Sequence, residues 1–254
     1  MCKTIDINGV KIGEGIPKIC VPIVGKTKDE IILAANELKF APKDIVELRA
    51  DFYDDIFDSQ KVISVLKELK EILGDTPILF TFRTSNEGGE KSIDKEAYVK
   101  LNEEIIASKL VELVDVEFFM GKDILADLIE KAHSNTVKVI ASNHDFKETP
   151  SKDTILSRLR EMQELGADIP KIAVMPTCPK DVLTLLEATS EMKENYATTP
   201  FITMSMGKDG VISRLSGEVF GSCITFGAVN KTSAPGQINA NDLSKILSLI
   251  HSAL

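Results

Sequence analysis

Short runs of apolar and β-branched residues recur along the chain at an even spacing, and most of the segments between them carry the 3.6-residue period of a helix. The runs are Lys18 to Gly25, Asp44 to Asp51, Pro77 to Arg83, Leu113 to Phe119, Lys138 to Phe146, Ile169 to Pro176, Phe201 to Gly207 and Ile224 to Val229. Helical spacing marks Ser59 to Leu73, Asp94 to Leu110, Lys122 to Ser134, Lys152 to Leu165, Pro179 to Tyr196 and Asn241 to Ala253. Eight strand–helix repeats in 254 residues match the count and length of a closed (β/α)8 barrel, the TIM-barrel form of the α/β class. A doubly wound open sheet is the alternative, but no Gly-rich dinucleotide turn follows the first strand. Only Val211 to Ser222 separates the last two strands, so the seventh helix must be short. Ahead of the first strand, Lys3 to Ile12 alternates apolar and polar residues around Asn8-Gly9, a favoured two-residue turn, and reads as a hairpin closing the N-terminal mouth of the barrel. No linker interrupts the pattern, so residues 1–254 are expected to form a single domain.

A hydrophobic content of 43% supplies one large core. The net charge of −9 argues against nucleic acid or an anionic membrane surface as partner, because both need a basic face that releases counterions. A small anionic substrate stays open if a few cations gather locally. Cys2, Cys20, Cys178 and Cys223 are scattered with no C-x-x-C pair, so neither a zinc site nor a disulfide framework is indicated, and free thiols suit a reducing cytoplasm. No stretch approaches the ~20 apolar residues of a membrane span, and no basic region with an apolar signal core opens the chain. A soluble cytoplasmic protein is expected.

Candidate chemistry gathers where barrel enzymes assemble it, at the carboxyl ends of the strands. Lys171 stands inside the apolar run Ile169 to Pro176, and burying an ammonium normally costs several kcal/mol. Desolvation and nearby positive charge favour a neutral amine, which can attack a ketone and form a Schiff base. The structural alternative is a lysine that snorkels from a strand end or pairs outward with a carboxylate. One βα unit earlier, Val139 to Phe146 carries His144, a candidate proton carrier. Strand two ends Glu47-Leu-Arg49, with both polar side chains on one face; strand three ends in Arg83, followed by Glu87 in its loop; strand seven ends Met204-Ser-Met206; Arg214 follows. Glu87 is placed to accept a hydrogen bond from the imidazole and set its tautomer. Phe226 to Gln237 is a Gly/Pro/Ser loop long enough to act as a lid. Three of the five arginines thus fall at strand ends, where together they could clamp a carboxylate, although singly each reads as a surface salt bridge contributing ~0–1 kcal/mol. Arg158 and Arg160 lie on a helix that looks solvent-facing, and His133 and His251 occupy helical positions read as solvent or packing sites. The methionines read as apolar lining.

In order along the chain, Glu47-Leu-Arg49, Phe80-Thr-Phe-Arg83 with Glu87-Gly-Gly-Glu90, Ser142-Asn-His-Asp-Phe146, Pro170-Lys-Ile-Ala-Val174, Met204-Ser-Met206, Gly210-Val-Ile-Ser-Arg214 and Ser233-Ala-Pro-Gly-Gln237 resemble type I 3-dehydroquinate dehydratase. The resemblance implies a (β/α)8 lyase, usually a homodimer, that converts 3-dehydroquinate to 3-dehydroshikimate by syn elimination on the route to chorismate and the aromatic amino acids. It needs no metal or organic cofactor. By position it implies that Lys171 forms the imine, that His144 moves the protons and that Glu87 orients His144. Arg214, Ser233 and Gln237 would hold the carboxylate and nearby hydroxyls, with Glu47, Arg49, Arg83, Met204 and Met206 completing the pocket. Pro22 departs from some relatives, which place a serine there. Two other readings share Lys171. One is a lysine-dependent aldolase, which should bind phosphate through glycine-rich turns near Gly207, Gly210 and Gly227. The other is a barrel that merely binds a small anion.

Overall fold

The computed structural model describes residues 3–229 and 233–254; Cys2 and the middle of the expected lid, 230–232, lie outside the described residues. Eight parallel strands follow one another around the sheet: β3 (Lys18–Ile23), β4 (Ile45–Arg49), β5 (Ile78–Thr81), β6 (Leu113–Glu117), β7 (Lys138–Asp145), β8 (Ile169–Val174), β9 (Ile202–Ser205) and β10 (Ile224–Ala228). Ahead of them β1 (Ile5–Ile7) and β2 (Val10–Ile12) form the expected antiparallel hairpin. Its turn puts Asn8 at φ 51° and Gly9 at φ 86°, and its isoleucines join the apolar cluster inside the barrel.

The helices are α1 (Lys28–Glu37), α2 (Ser59–Leu73), α3 (Lys95–Ser108), α4 (Lys122–Ser134), α5 (Lys152–Glu164), α6 (Pro179–Glu191), the short α7 (Val211–Leu215) and α8 (Gly217–Phe220), and α9 (Ala240–His251). Asp58, Asp94 and Ser151 cap α2, α3 and α5 by accepting from backbone N–H groups in the first turn. α1 escaped the periodicity because it buries only Ile31 and Ala35 and leaves Leu33 exposed. The short helices between β9 and β10 are as expected. Several strands stop before their apolar runs do: β4 ends at Arg49 and β6 at Glu117, each passing into one tight helical turn.

Alternation within each strand sorts side chains between two cores. Outward positions such as Val46, Phe80, Val114, Val139 and Ile172 pack against the helices. Inward positions change character along the barrel axis. One layer of inward residues is apolar: Cys20, Ile45, Leu79, Leu113, Ile140, Ile169, Ile202 and Ile224 make one buried cluster with the hairpin. Two residues on, the inward positions are Pro22, Glu47, Thr81, Asp115, Ser142, Lys171, Met204 and Phe226. That apolar layer, with the hairpin beneath it, plugs the barrel with hydrocarbon, and the polar layer lies above it toward the other mouth.

The closing seam differs from the other strand pairs. β9 and β10 meet through a single bridge, Phe201 to Ser222, with the Cys223 N–H donating to the Phe201 carbonyl at 2.9 Å. The Ser222 hydroxyl extends it by accepting from the Thr203 N–H at 3.0 Å and donating to the Thr203 carbonyl at 3.1 Å. On the other side of β10 from β3, the two-residue β11 (Ile238–Asn239) pairs with Gly227 and Ala228 as the chain returns from the expected lid. Among the described residues no helix is long and apolar enough to cross a membrane.

Candidate active site

Lys171 is the third residue of β8 and 3% exposed, and its stem runs up the barrel interior as the strand position requires. Nζ lies 3.1 Å from Asp115 Oδ2, and 4.6 Å from the centre of the Phe226 ring, which offers its negative face to the charge. Asp115 is fully buried, and its other oxygen accepts from Arg83 Nη2 at 2.8 Å and from the Ser142 hydroxyl at 2.5 Å. Burial alone would raise the Asp115 carboxyl, but Arg83, Lys171 and Ser142 outweigh it and hold the group below the usual carboxylate range. Arg83 also donates to Glu117 Oε1 and to Ser142 Oγ, each at 3.0 Å. Burial opposes its charge, yet Asp115, Glu117 and Glu87 raise it well above the ordinary arginine value. Glu117 is held in turn by the N–H and hydroxyl of Thr84, both at 2.8 Å.

His144 stands beside this network on β7. Glu87, on a tight turn after β5, accepts from the His144 backbone N–H at 2.8 Å and lies 3.0 Å from its Nδ1 through the same oxygen. The turn is possible because Gly88 sits at φ 83° under Phe146; a Cβ there would come within 2.3 Å of the ring. Burial, the largest cause, pushes Glu87 up to about 8 against the pull of Arg83. Burial also pulls His144 well below 6.5, and Arg83, Lys171 and Arg49 push the same way. With Glu87 Oε2 accepting from Nδ1–H, a neutral imidazole carries its lone pair on Nε2, free for a proton.

Arg214 is 2% exposed and has no carboxylate partner among the described residues. Nη2 donates to the Pro235 carbonyl at 3.0 Å, Nη1 approaches Met204 Sδ at 3.7 Å, and the buried Nε has no hydrogen-bond partner. Burial lowers it to about 10. Arg49 is by contrast clamped by both oxygens of Asp51, at 2.9 and 2.8 Å, and donates to the Ser233 carbonyl at 3.1 Å. Glu47 accepts from the Thr81 hydroxyl at 2.9 Å. Gln237 closes on Ser233, with Oε1 accepting from its N–H at 2.8 Å and Nε2 donating to its hydroxyl at 3.0 Å.

All eleven side chains singled out by sequence come together: Glu47, Arg49, Arg83, Glu87, His144, Lys171, Met204, Met206, Arg214, Ser233 and Gln237 line one cavity at the C-terminal mouth. Arg83, placed in the pocket by the resemblance, points inward to Asp115 and Glu117. One expectation needs correction. Arg158 is half-buried, not solvent-facing: from α5, which packs against β8, it reaches across to donate to Asn143 Oδ1 on β7 at 2.8 Å and stacks on Phe119. His133 and His251 are outside the cavity, paired with Asp168 and Glu218. Sequence reasoning missed Asp115, Glu117 and Ser142. Asp115 and Glu117 carried the signal that exposed Lys171, charge at alternate positions in an apolar run, Leu113-Val-Asp-Val-Glu117.

A buried amine beside an imidazole, under an arginine with no carboxylate partner among the described residues, defines a barrel enzyme equipped for proton transfer on a small carboxylate. Comparison with known proteins narrows this class. The family model for type I 3-dehydroquinase matches residues 19–253. A 3-dehydroquinate dehydratase of Clostridium botulinum (strain Eklund 17B / Type B) is 54% identical over 251 residues, 99% of each chain. One of Clostridioides difficile (strain 630) is 54% identical over 254 residues, all of both chains. A crystal structure of type I 3-dehydroquinate dehydratase from Clostridium difficile with covalent modified comenic acid superposes with a TM-score of 0.98 at 54% identity, covering both chains entirely. The Geobacillus kaustophilus 3-dehydroquinate dehydratase gives 0.95 at 39% identity, covering 98% of this chain and 97% of that one. The chain belongs to the type I 3-dehydroquinase family.

On the reading that Arg214 takes a substrate carboxylate, replacing it with alanine is expected to raise KM by about 10- to 100-fold, the worth of one charged hydrogen-bonding pair, with a smaller effect on kcat. Steady-state kinetics across substrate concentration separates the two.

Proposed function

We propose that this chain dehydrates 3-dehydroquinate to 3-dehydroshikimate through a Schiff base on Lys171, as a step toward chorismate. The observation that carries the reading is the buried Lys171 Nζ, which shares one cavity with His144 and with an arginine that has no carboxylate partner among the described residues. The names of full-length relatives at 54% identity support the substrate, and the covalent ligand named for one related structure supports a nucleophile in the family.

Lys171 Nζ, once it has lost a proton, attacks the C3 carbonyl carbon. The carbonyl oxygen leaves as water and a C=N iminium remains. The iminium withdraws electrons from C2, so neutral His144 can take a C2 proton through Nε2, leaving an enamine. The enamine electrons then return through C2 to form the C1–C2 double bond, and the C1 hydroxyl departs as water with the proton held by His144. Hydrolysis of the remaining iminium frees product and amine, for a net loss of one water. Glu87 holds the imidazole ring with Nε2 toward the substrate. Arg214, with Ser233 and Gln237, takes the carboxylate and neighbouring hydroxyls, while Glu47, Arg49 and Arg83 shape the hydroxyl side.

The aldolase reading has no such support. A Cβ on Gly210 would meet the Ser205 carbonyl at 2.2 Å, so that glycine serves close packing of the chain. The family likeness also carries the expectations of a homodimer and a cytoplasmic setting; light scattering checks the first.

The direct test is intact mass after incubation with 3-dehydroquinate and sodium borohydride, followed by peptide mapping. A stable adduct on Lys171 is expected, together with growing absorbance from the conjugated product. Turnover without an adduct would remove the imine and keep the activity; neither would remove both.

A further inference from the structure

The imine reading leaves Asp115 without a task, although no carboxylate lies in a more enclosed place. It is 0% exposed, inward-facing on β6, and its two oxygens are divided between Lys171 on one side and the Arg83–Ser142 pair on the other. We propose that Asp115 is the positioning residue for the reacting nitrogen, a fixed counterion that aims Lys171 Nζ and stays beside it as ammonium becomes iminium.

This rests on the Schiff-base reading and follows from its charge balance. Ammonium and ketone give iminium and water: nitrogen passes from three hydrogens to one, two protons leave on the carbonyl oxygen, and the single positive charge remains on nitrogen. The charge never leaves the barrel interior, so a carboxylate 3.1 Å away compensates both end states without moving. Oδ1 is fastened by a bidentate-capable arginine and a hydroxyl, so Oδ2 cannot swing away when the nitrogen rehybridises. The surroundings also separate a counterion from a proton carrier. The groups facing the pair are Arg83, Ser142, Glu117 through Arg83, His144, and Cys20, whose thiol feels Glu47, Lys171 and Asp115. Two cations and a hydroxyl on one carboxylate keep it ionised, which leaves proton transfer to His144.

The test compares wild type, Asp115→Asn and Ser142→Ala by kcat, KM, thermal denaturation and the pH dependence of borohydride trapping with 3-dehydroquinate. Asp115→Asn keeps the shape and removes the charge. It is expected to lower kcat by ~10²–10³-fold, the scale of one preorganised electrostatic contact, with little change in KM. Its trapping profile against pH should differ from that of wild type, because the fixed charge beside the reacting nitrogen has gone. A merely structural role would lower the melting temperature and leave that profile in place. Ser142→Ala keeps the charge and frees Oδ1, so a smaller fall in kcat with an unmoved profile is expected. A folded Asp115→Asn with wild-type kcat and profile overturns the proposal; should that variant fail to fold, an unchanged kcat in Ser142→Ala overturns it. Absence of an adduct in wild type removes the imine itself and Asp115's role with it, whereas an adduct formed equally well in wild type and Asp115→Asn removes only the role of Asp115.

Discussion

Lys171→Met should lower turnover of 3-dehydroquinate by at least ~10⁴-fold and abolish borohydride trapping, because it removes the covalent step while keeping an apolar stem of similar length. The fold should survive. Asp115 keeps Arg83 and Ser142 as partners, so the change strands no carboxylate, and methionine packs against Phe226 and Met204 in the same cavity. Measuring kcat beside a denaturation curve separates the two effects. A folded variant with wild-type turnover would return Lys171 to a structural charge and leave a barrel that binds anions.

His144→Ala is expected to lower kcat by ~10²–10⁴-fold, the range of a positioned general base, with KM near wild type because the carboxylate contacts remain. The imine should still form and trap, so the adduct accumulates while product does not. The pH profile carries a second signature. A base works only when deprotonated, and burial together with Arg83, Lys171 and Arg49 depresses His144 well below 6.5. The acid limb of kcat/KM should therefore lie below pH 6.5 in the wild type, with activity retained as pH falls until the imidazole finally takes a proton. That limb should be absent from the alanine variant. An acid limb at the same pH in both proteins would assign it to another group.

The architecture was legible because each barrel strand announces itself as an apolar run, and the hairpin through Asn8-Gly9. The site was legible for a related reason: Lys171, His144 and Arg49 stand where the period-two pattern demands hydrocarbon or where a strand has just ended. What stayed hidden is who pairs with whom. Asp115 and Lys171 are 56 residues apart, and Arg83 and Ser142 are 59 apart. Their meeting depends on the stagger of neighbouring strands around the barrel, which no single run encodes. Arg158 was misread for the same reason, since its partner Asn143 lies on β7 while α5 itself packs against β8.

Arg214 also bears on stability under the proposed reading. A guanidinium buried with no carboxylate partner among the described residues weakens the empty fold, and a carboxylate ligand that pairs with it would draw the population toward the native state by mass action, so the melting temperature is expected to rise with ligand concentration. On that reading the charge that recognises the ligand also makes the ligand a chaperone.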